Sequence, residues 1–284
     1  MKNIPILDPK NDNLIQQFGI LYSIFTNVGE KEKIHFDLSK TRWLCPIIIL
    51  PVAAYIAKTN STFAQSKNET AKAYLNAIRF PKGISSASEF EKYVQETKTY
   101  VPISILRRDK GVERENLESM FSGLMYRILG SVSGAQNAVY YPIAELVTNI
   151  FEHSKDDVGF IFGQYYPKKE YLDICIADTG RGLAQAYKDE TGLELTDGQA
   201  IEEVLKGHST KSQQERGYGI RTSKKVVCEG LDGNFIIASG ASALVASQSS
   251  EKLVSLPDFY WHGVIVAYRI PKPKGGIDIS GFLE

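Results

Sequence analysis

The sequence predicts an α+β protein: a two-layer α/β sandwich preceded by a small α/β domain, with residues 1–112 in the first unit and 113–284 in the second. Three observations lead there. The opening hundred residues alternate short helical and strand patterns, and two long segments between Glu115 and His153 keep a helical period. The strand patterns beyond Asp157 are joined mostly by short turns, with further helices between them, which favours a sandwich over a doubly wound sheet.

In the first unit, Leu14, Phe18, Leu21, Tyr22 and Phe25 fall at helical spacing. In "KIHFDLS", Ile34 and Phe36 alternate with His35 and Asp37, as in a short strand. The apolar run after Trp43 reads as a buried helix, started or bent by Pro46 and Pro51. "ETAKAYLNAIRF" reads as a further helix, ended near Phe80 by Pro81 and Gly83. No catalytic constellation stands out in this unit. The basic cluster of "ILRRDKGVER" (Arg107, Arg108, Lys110, Arg114) is diluted by Asp109 and Glu113, and is expected to be a solvated linker in preference to a phosphate patch.

The second unit opens with "ENLESMFSGLMYRILG", in which Leu117, Met120, Phe121, Leu124, Met125 and Ile128 repeat at i, i+3, i+4 and i+7. Gly130 suits the left-handed cap that ends such a helix. A second helix carries "ELVTNIFEHS"; Pro142 fits its first turn, which would set Glu145 near the N-terminal end. The strands expected next are "VGFIFGQYY" and "EYLDICIAD", joined at Pro167-Lys168-Lys169, then "NFIIAS" and "GVIVAYRI".

Composition narrows the function. The 284 residues carry 33 basic and 33 acidic side chains, so no net field recruits nucleic acid or an anionic membrane. Three cysteines without a CxxC pair argue against a disulfide framework or zinc site and suit a reducing compartment. The N-terminus lacks a signal-peptide core, and the apolar run after Trp43 is too short to span a bilayer, so a cytoplasmic protein is expected.

Three polar motifs carry the chemistry. On the second helix of the unit, Glu145, Asn149 and His153 stand at i, i+4 and i+8 and share one face, beside a stripe of Leu146, Val147, Ile150 and Phe151. That face is either solvated or a pocket wall. "LDICIAD" runs into "DTGRGL", so that Asp178 ends a strand and Gly180 and Gly182 follow. The segment is either an ordinary turn or a place where a ligand nears bare backbone, with Asp178 accepting from an exocyclic amine. Finally, "HSTKSQQERGYGI" places a polar, lid-like run before Gly217 and Gly219, which open a helical pattern. Ser209, Thr210 and Lys211 could donate to phosphate oxygens there.

In this order the three resemble the GHKL superfamily of DNA gyrase, the heat-shock chaperone ATPase, sensor histidine kinases and the mismatch-repair ATPase. "ELVTNIFEHS" looks like its N box, "DTGRGL" like its first glycine box and "RGYGI" like its second, and "GNFIIASG" sits where a third would fall. The resemblance spans roughly residues 115 to 272. It implies that ATP binds with Mg2+ on Asn149, that Asp178 recognises adenine, and that Gly180 and Gly182 shape the pocket. It further implies that Gly217, Tyr218 and Gly219 form the turn at the phosphates, with Thr210, Lys211 and Arg216 as candidate donors. Glu145 stands where the hydrolysing members carry the general base, although it could instead cap the helix or reach the metal through water. His153 either contacts phosphate or packs beside Ser154.

The first unit more loosely resembles the STAS-like regions that precede some bacterial ATP-binding proteins, which mediate interactions. The expected function is ATP binding and hydrolysis that regulates a protein partner. The alternatives are an anti-sigma-type serine kinase acting on a STAS-like partner, and a non-catalytic ATP- or ADP-binding module. A sensor kinase is not expected, because none of the four histidines sits on a long helix ahead of the nucleotide unit.

Overall fold

The computed structural model describes residues 1–95, 97–130, 132–208 and 219–283, and the chain is an α+β protein built on two sheets. The smaller sheet is parallel, in the order β1 (Lys2–Pro5), β2 (Ile34–Asp37), β3 (Thr62–Ala64). Its crossovers are α1 (Leu14–Phe25) and α2 (Pro46–Thr59), and α3 (Glu69–Ala77) and α4 (Ala87–Tyr93) follow. Helix α1 starts at Asn13, whose side-chain oxygen accepts from the backbone N–H groups of Ile15 and Gln16 at 2.9 and 3.2 Å. Helix α2 has no side-chain cap; Pro46, whose missing N–H costs nothing in a first turn, sets its start. The third expected helix ends at Ala77, short of Phe80.

The larger sheet begins upstream of residue 113. Its first strand is β4 (Ser104–Arg107), followed by α5 (Gly111–Leu129), α6 (Ala135–His153), β5 (Val158–Tyr166) and β6 (Tyr171–Asp178). Then come α7 (Gly182–Thr191), α8 (Asp197–Lys206) and α9 (Gly219–Lys225), which runs into a π-helical turn over Val226–Gly230. The chain returns through β7 (Asn234–Gly240), β8 (Ser242–Ser247), β9 (Glu251–Ser255) and β10 (Trp261–Pro271). The seven strands are antiparallel throughout, in the order β4-β5-β6-β10-β7-β8-β9. Gly130 ends α5 at φ 104°, the left-handed cap its position predicts.

Both faces of this sheet are covered at its centre. Helices α5 and α6 lie on one face, and Gly163 of β5 lets them approach: a Cβ there would stand 2.8 Å from Met125 Sδ and 2.9 Å from Phe121. Helix α2 packs on β5, β6 and β10 from the other face, while its Tyr55 meets Phe36 of β2 edge to face. A third layer is thereby added to the expected sandwich. It explains why all eight residues of β6 are buried, although Asp173, Cys175 and Ala177 alternate with Leu172, Ile174 and Ile176. Asp173 is accommodated by Arg269, directly across the register on β10, through two bonds of 2.6 and 2.7 Å. Arg269 also stacks over the Tyr171 ring at 3.6 Å and donates to the Asp12 carbonyl.

Two expectations are corrected. Pro142 lies well inside α6, buried, so Glu145 belongs to the helix's middle and not to its first turns. The lost bond to the carbonyl of Ala138 is tolerated in a helix whose buried face carries Val139, Ile143, Leu146 and Val147. The basic segment is no linker either: Arg107 closes β4, and Gly111 starts α5. Arg108 donates to the Asp156 carbonyl at 3.2 Å, and Arg114 lies 4.5 Å over the Phe151 ring.

Among the described residues no helix is long and apolar enough to cross a membrane. Cys45, Cys175 and Cys228 are buried and free.

Candidate functional site

Helix α6 delivers Asn149 and His153 to one wall of a cleft, with Leu146 and Ile150 completing that wall. The amphipathic spacing therefore does two jobs: part of the apolar stripe packs on the sheet, while Asn149 and His153 border the opening. The opposite wall is Leu183, Ala186 and Tyr187 of α7, and the floor is Ile176, Val264 and Val266 of the sheet. The cleft is open to solvent on one side, and with that open space included it measures about 800 Å³.

Asp178 sits at the end of the floor, where β6 stops. Its Oδ1 accepts from Gly180 N at 2.9 Å and its Oδ2 from Val264 N at 3.2 Å. Its carbonyl accepts from Trp261 Nε1 at 2.9 Å. Burial pushes the carboxyl from its ordinary range up to about 7, against the pull of those two N–H groups and of Lys58, while Asp156 adds to the rise. A carboxylate held this way keeps lone pairs for a ligand donor.

The two glycines after it act differently. Gly182 lines the cleft at φ +74° and begins α7, and the next residue's N–H is accepted by Ser239 Oγ at 3.0 Å. Ser239 lies in the "GNFIIASG" strand, which thus supports the glycine turn from beneath without lining the cleft. Gly180 does not line the cleft. A Cβ there would fall 2.3 Å from the Ser154 carbonyl oxygen, so glycine at this position lets the end of α6 press against the turn.

Gly219, at the start of α9, lines the cleft and rests on the polar row of α6. A Cβ on it would stand 2.6 Å from Glu145 Oε2 and 3.0 Å from Asn149 Nδ2. Glu145 is half-buried beneath Gly219 and is not part of the cleft lining. Asn149 Nδ2 is buried with no hydrogen-bond partner among the described residues, an expensive state for an amide unless something else engages it. Thr210, Lys211, Gly217 and Tyr218 lie outside the described residues, as do Ser209 and Arg216.

At the mouth, His153 Nδ1 stands 3.5 Å from Glu190 Oε2. Arg181 binds the His153 carbonyl at 2.7 Å and Asp189 at 2.7 Å, and reaches Glu190 as well. These α7 acids and the cleft residues Tyr187 and His208 were not anticipated from the sequence. Arg181, inside the glycine motif, is the sequence feature that the two acids hold.

Among the described residues no group of three or more His, Cys, Asp or Glu side chains could hold a metal by itself. No protein family matches the chain, and no curated protein or solved structure matches it either. What the fold and cleft define is thus a class by construction: an α+β protein with a half-apolar cleft between a helix wall and the ends of antiparallel strands.

Proposed function

We propose that the protein is a GHKL-type ATP-binding protein that takes ATP with magnesium in this cleft, and that hydrolysis regulates its contact with a protein partner. The observation that carries the reading is the convergence of Asn149, His153, Asp178, Gly182 and Gly219, from three separated segments, on one cleft. The apolar floor suits a purine ring, and Asp178 at its edge can accept from the exocyclic amine. The orphaned Asn149 amide supports a magnesium site, because a flip exchanges Nδ2 for Oδ1 and leaves an oxygen facing the same space. Bound magnesium supplies neutralisation of phosphate charge.

Glu145 adjoins Asn149 under Gly219 without lining the cleft, and in this reading it is the base that takes a proton from a water admitted at the Gly219 turn. Arg181 supplies positive charge at the mouth, already held by Asp189 and Glu190, and His153 stands beside Glu190. The first unit, in this reading, is the interaction region.

The test is calorimetry with magnesium and ATP or ADP, with and without a chelator, beside a phosphate-release assay. Wild type binds with micromolar affinity, and Asn149→Ala loses the magnesium dependence of that binding. Glu145→Ala keeps binding and loses turnover. Absence of nucleotide binding to the folded wild type rejects the proposal. Transfer of label to a partner protein without free phosphate replaces hydrolysis by kinase chemistry.

A further inference from the structure

The first unit reaches the back of the cleft through a chain of polar contacts. Lys58, near the C-terminal end of α2, holds its Nζ 3.4 Å from Asp156 Oδ2. The same carboxylate oxygen accepts the Thr179 hydroxyl at 2.8 Å, and Thr179 directly follows Asp178. Asp156 is fixed in place, since its N–H donates to Ser154 Oγ at 3.0 Å and its carbonyl accepts from Arg108. Its side chain is 13% exposed, whereas that of Lys58 is 48% exposed. The loop leaving α6 thus carries a mostly buried acid between a cation of the first unit and the strand end that bears Asp178. The two charges act on Asp178 in opposite directions, Asp156 opposing its ionised form and Lys58 favouring it. A second contact runs alongside: Phe25 of α1 meets Trp261 edge to face at 5.2 Å, and Trp261 binds the Asp178 carbonyl.

We infer that Lys58 is a positioning residue for the cleft: acting through Asp156 and Thr179, it lets the first unit set how tightly Asp178 holds the adenine ring. The inference rests on the nucleotide reading above. Lys58 neutralises Asp156, and when it is drawn away the unbalanced acid opposes the ionised Asp178 that a purine amine needs. An acidic group of a partner that takes Lys58 from Asp156 therefore loosens the nucleotide, and by reciprocity bound nucleotide weakens that partner's grip. Glu30 and His262 share a small pocket with Lys58 and Thr179, but they face each other at 3.7 Å and stay unaltered in the variants below.

The experiment measures the affinity of the full chain for magnesium and ADP by calorimetry. Lys58→Met weakens binding about threefold to fivefold at low salt, the yield of one partly exposed ion pair. Lys58→Arg keeps the wild-type value, and the loss in Lys58→Met shrinks as salt is raised. Adding Asp156→Asn to Lys58→Met restores binding, because the unbalanced charge is gone while an oxygen remains to accept from Thr179. A merely structural role for Lys58 predicts a double variant no better than the single one. That result, or equal affinities for wild type and Lys58→Met, overturns the inference. A wild type that binds no ADP overturns the nucleotide reading beneath it instead.

Discussion

Asp178 offers a quantitative test through its proton. Burial raises its carboxyl from the ordinary 3.8 to about 7, so near neutrality the group is divided between two forms. The ionised form is the stronger acceptor for an exocyclic amine and is taken as the form that binds. At about pH 8 roughly nine-tenths of the molecules are ready to bind, and at about pH 6 roughly one-tenth are, so affinity falls about tenfold, or ~1.4 kcal/mol. Adenosine is the ligand of choice, because it carries no phosphate to titrate and none for His153 to touch. Titration calorimetry at the two pH values, each in two buffers of different ionisation enthalpy, reads both quantities. The expected result is a tenfold ratio, with close to one proton released per adenosine at the lower pH and almost none at the higher. Affinities within twofold of each other, without proton release, refute the placement of the purine amine on this carboxylate.

Two further predictions come from packing. Gly219→Ala sets a Cβ against the Glu145 carboxylate and the Asn149 amide, both movable ends of side chains; stability measured in urea is largely retained, whereas phosphate release drops tenfold or more as Glu145 is displaced. Arg269→Met leaves Asp173 buried and unpaired, costing about 3–5 kcal/mol in chemical denaturation, and Arg269→Met combined with Asp173→Leu recovers most of it; an unchanged midpoint in the single variant contradicts the role assigned to that pair.

The parts of this molecule legible in its sequence are those where one local rule acts alone. The period of Leu117 to Ile128 ends at Gly130, and the structure ends α5 there. The row of Glu145, Asn149 and His153 needs only helical geometry to share a face, and Asn149 and His153 do border the cleft. Pro142 sits inside α6 because its first-turn preference is a local rule that tertiary burial overrides. The strands Ser242–Ser247 and Glu251–Ser255 carry no clear alternation in the sequence, and pairing of the first with β7 and of the second with the first determines them. Neither the grip of Glu190 on His153 nor that of Arg269 on Asp173 can be read from one dimension, because each joins residues far apart in the chain. Gly180 shows a subtler limit: its motif is legible, yet what demands glycine is the Ser154 carbonyl and not a ligand.

The burial of α2 between the two sheets bears on how this chain can be cut or recombined. A fragment begun at residue 113 would shed β4 from the sheet's edge and strip the cover from Cys175, Ala177 and the Asp173–Arg269 pair. That newly wet surface is oily and holds one salt link built for dryness, so such a fragment should precipitate or collapse instead of behaving as a portable cassette. The halves are better regarded as a single inheritance than as beads on a string.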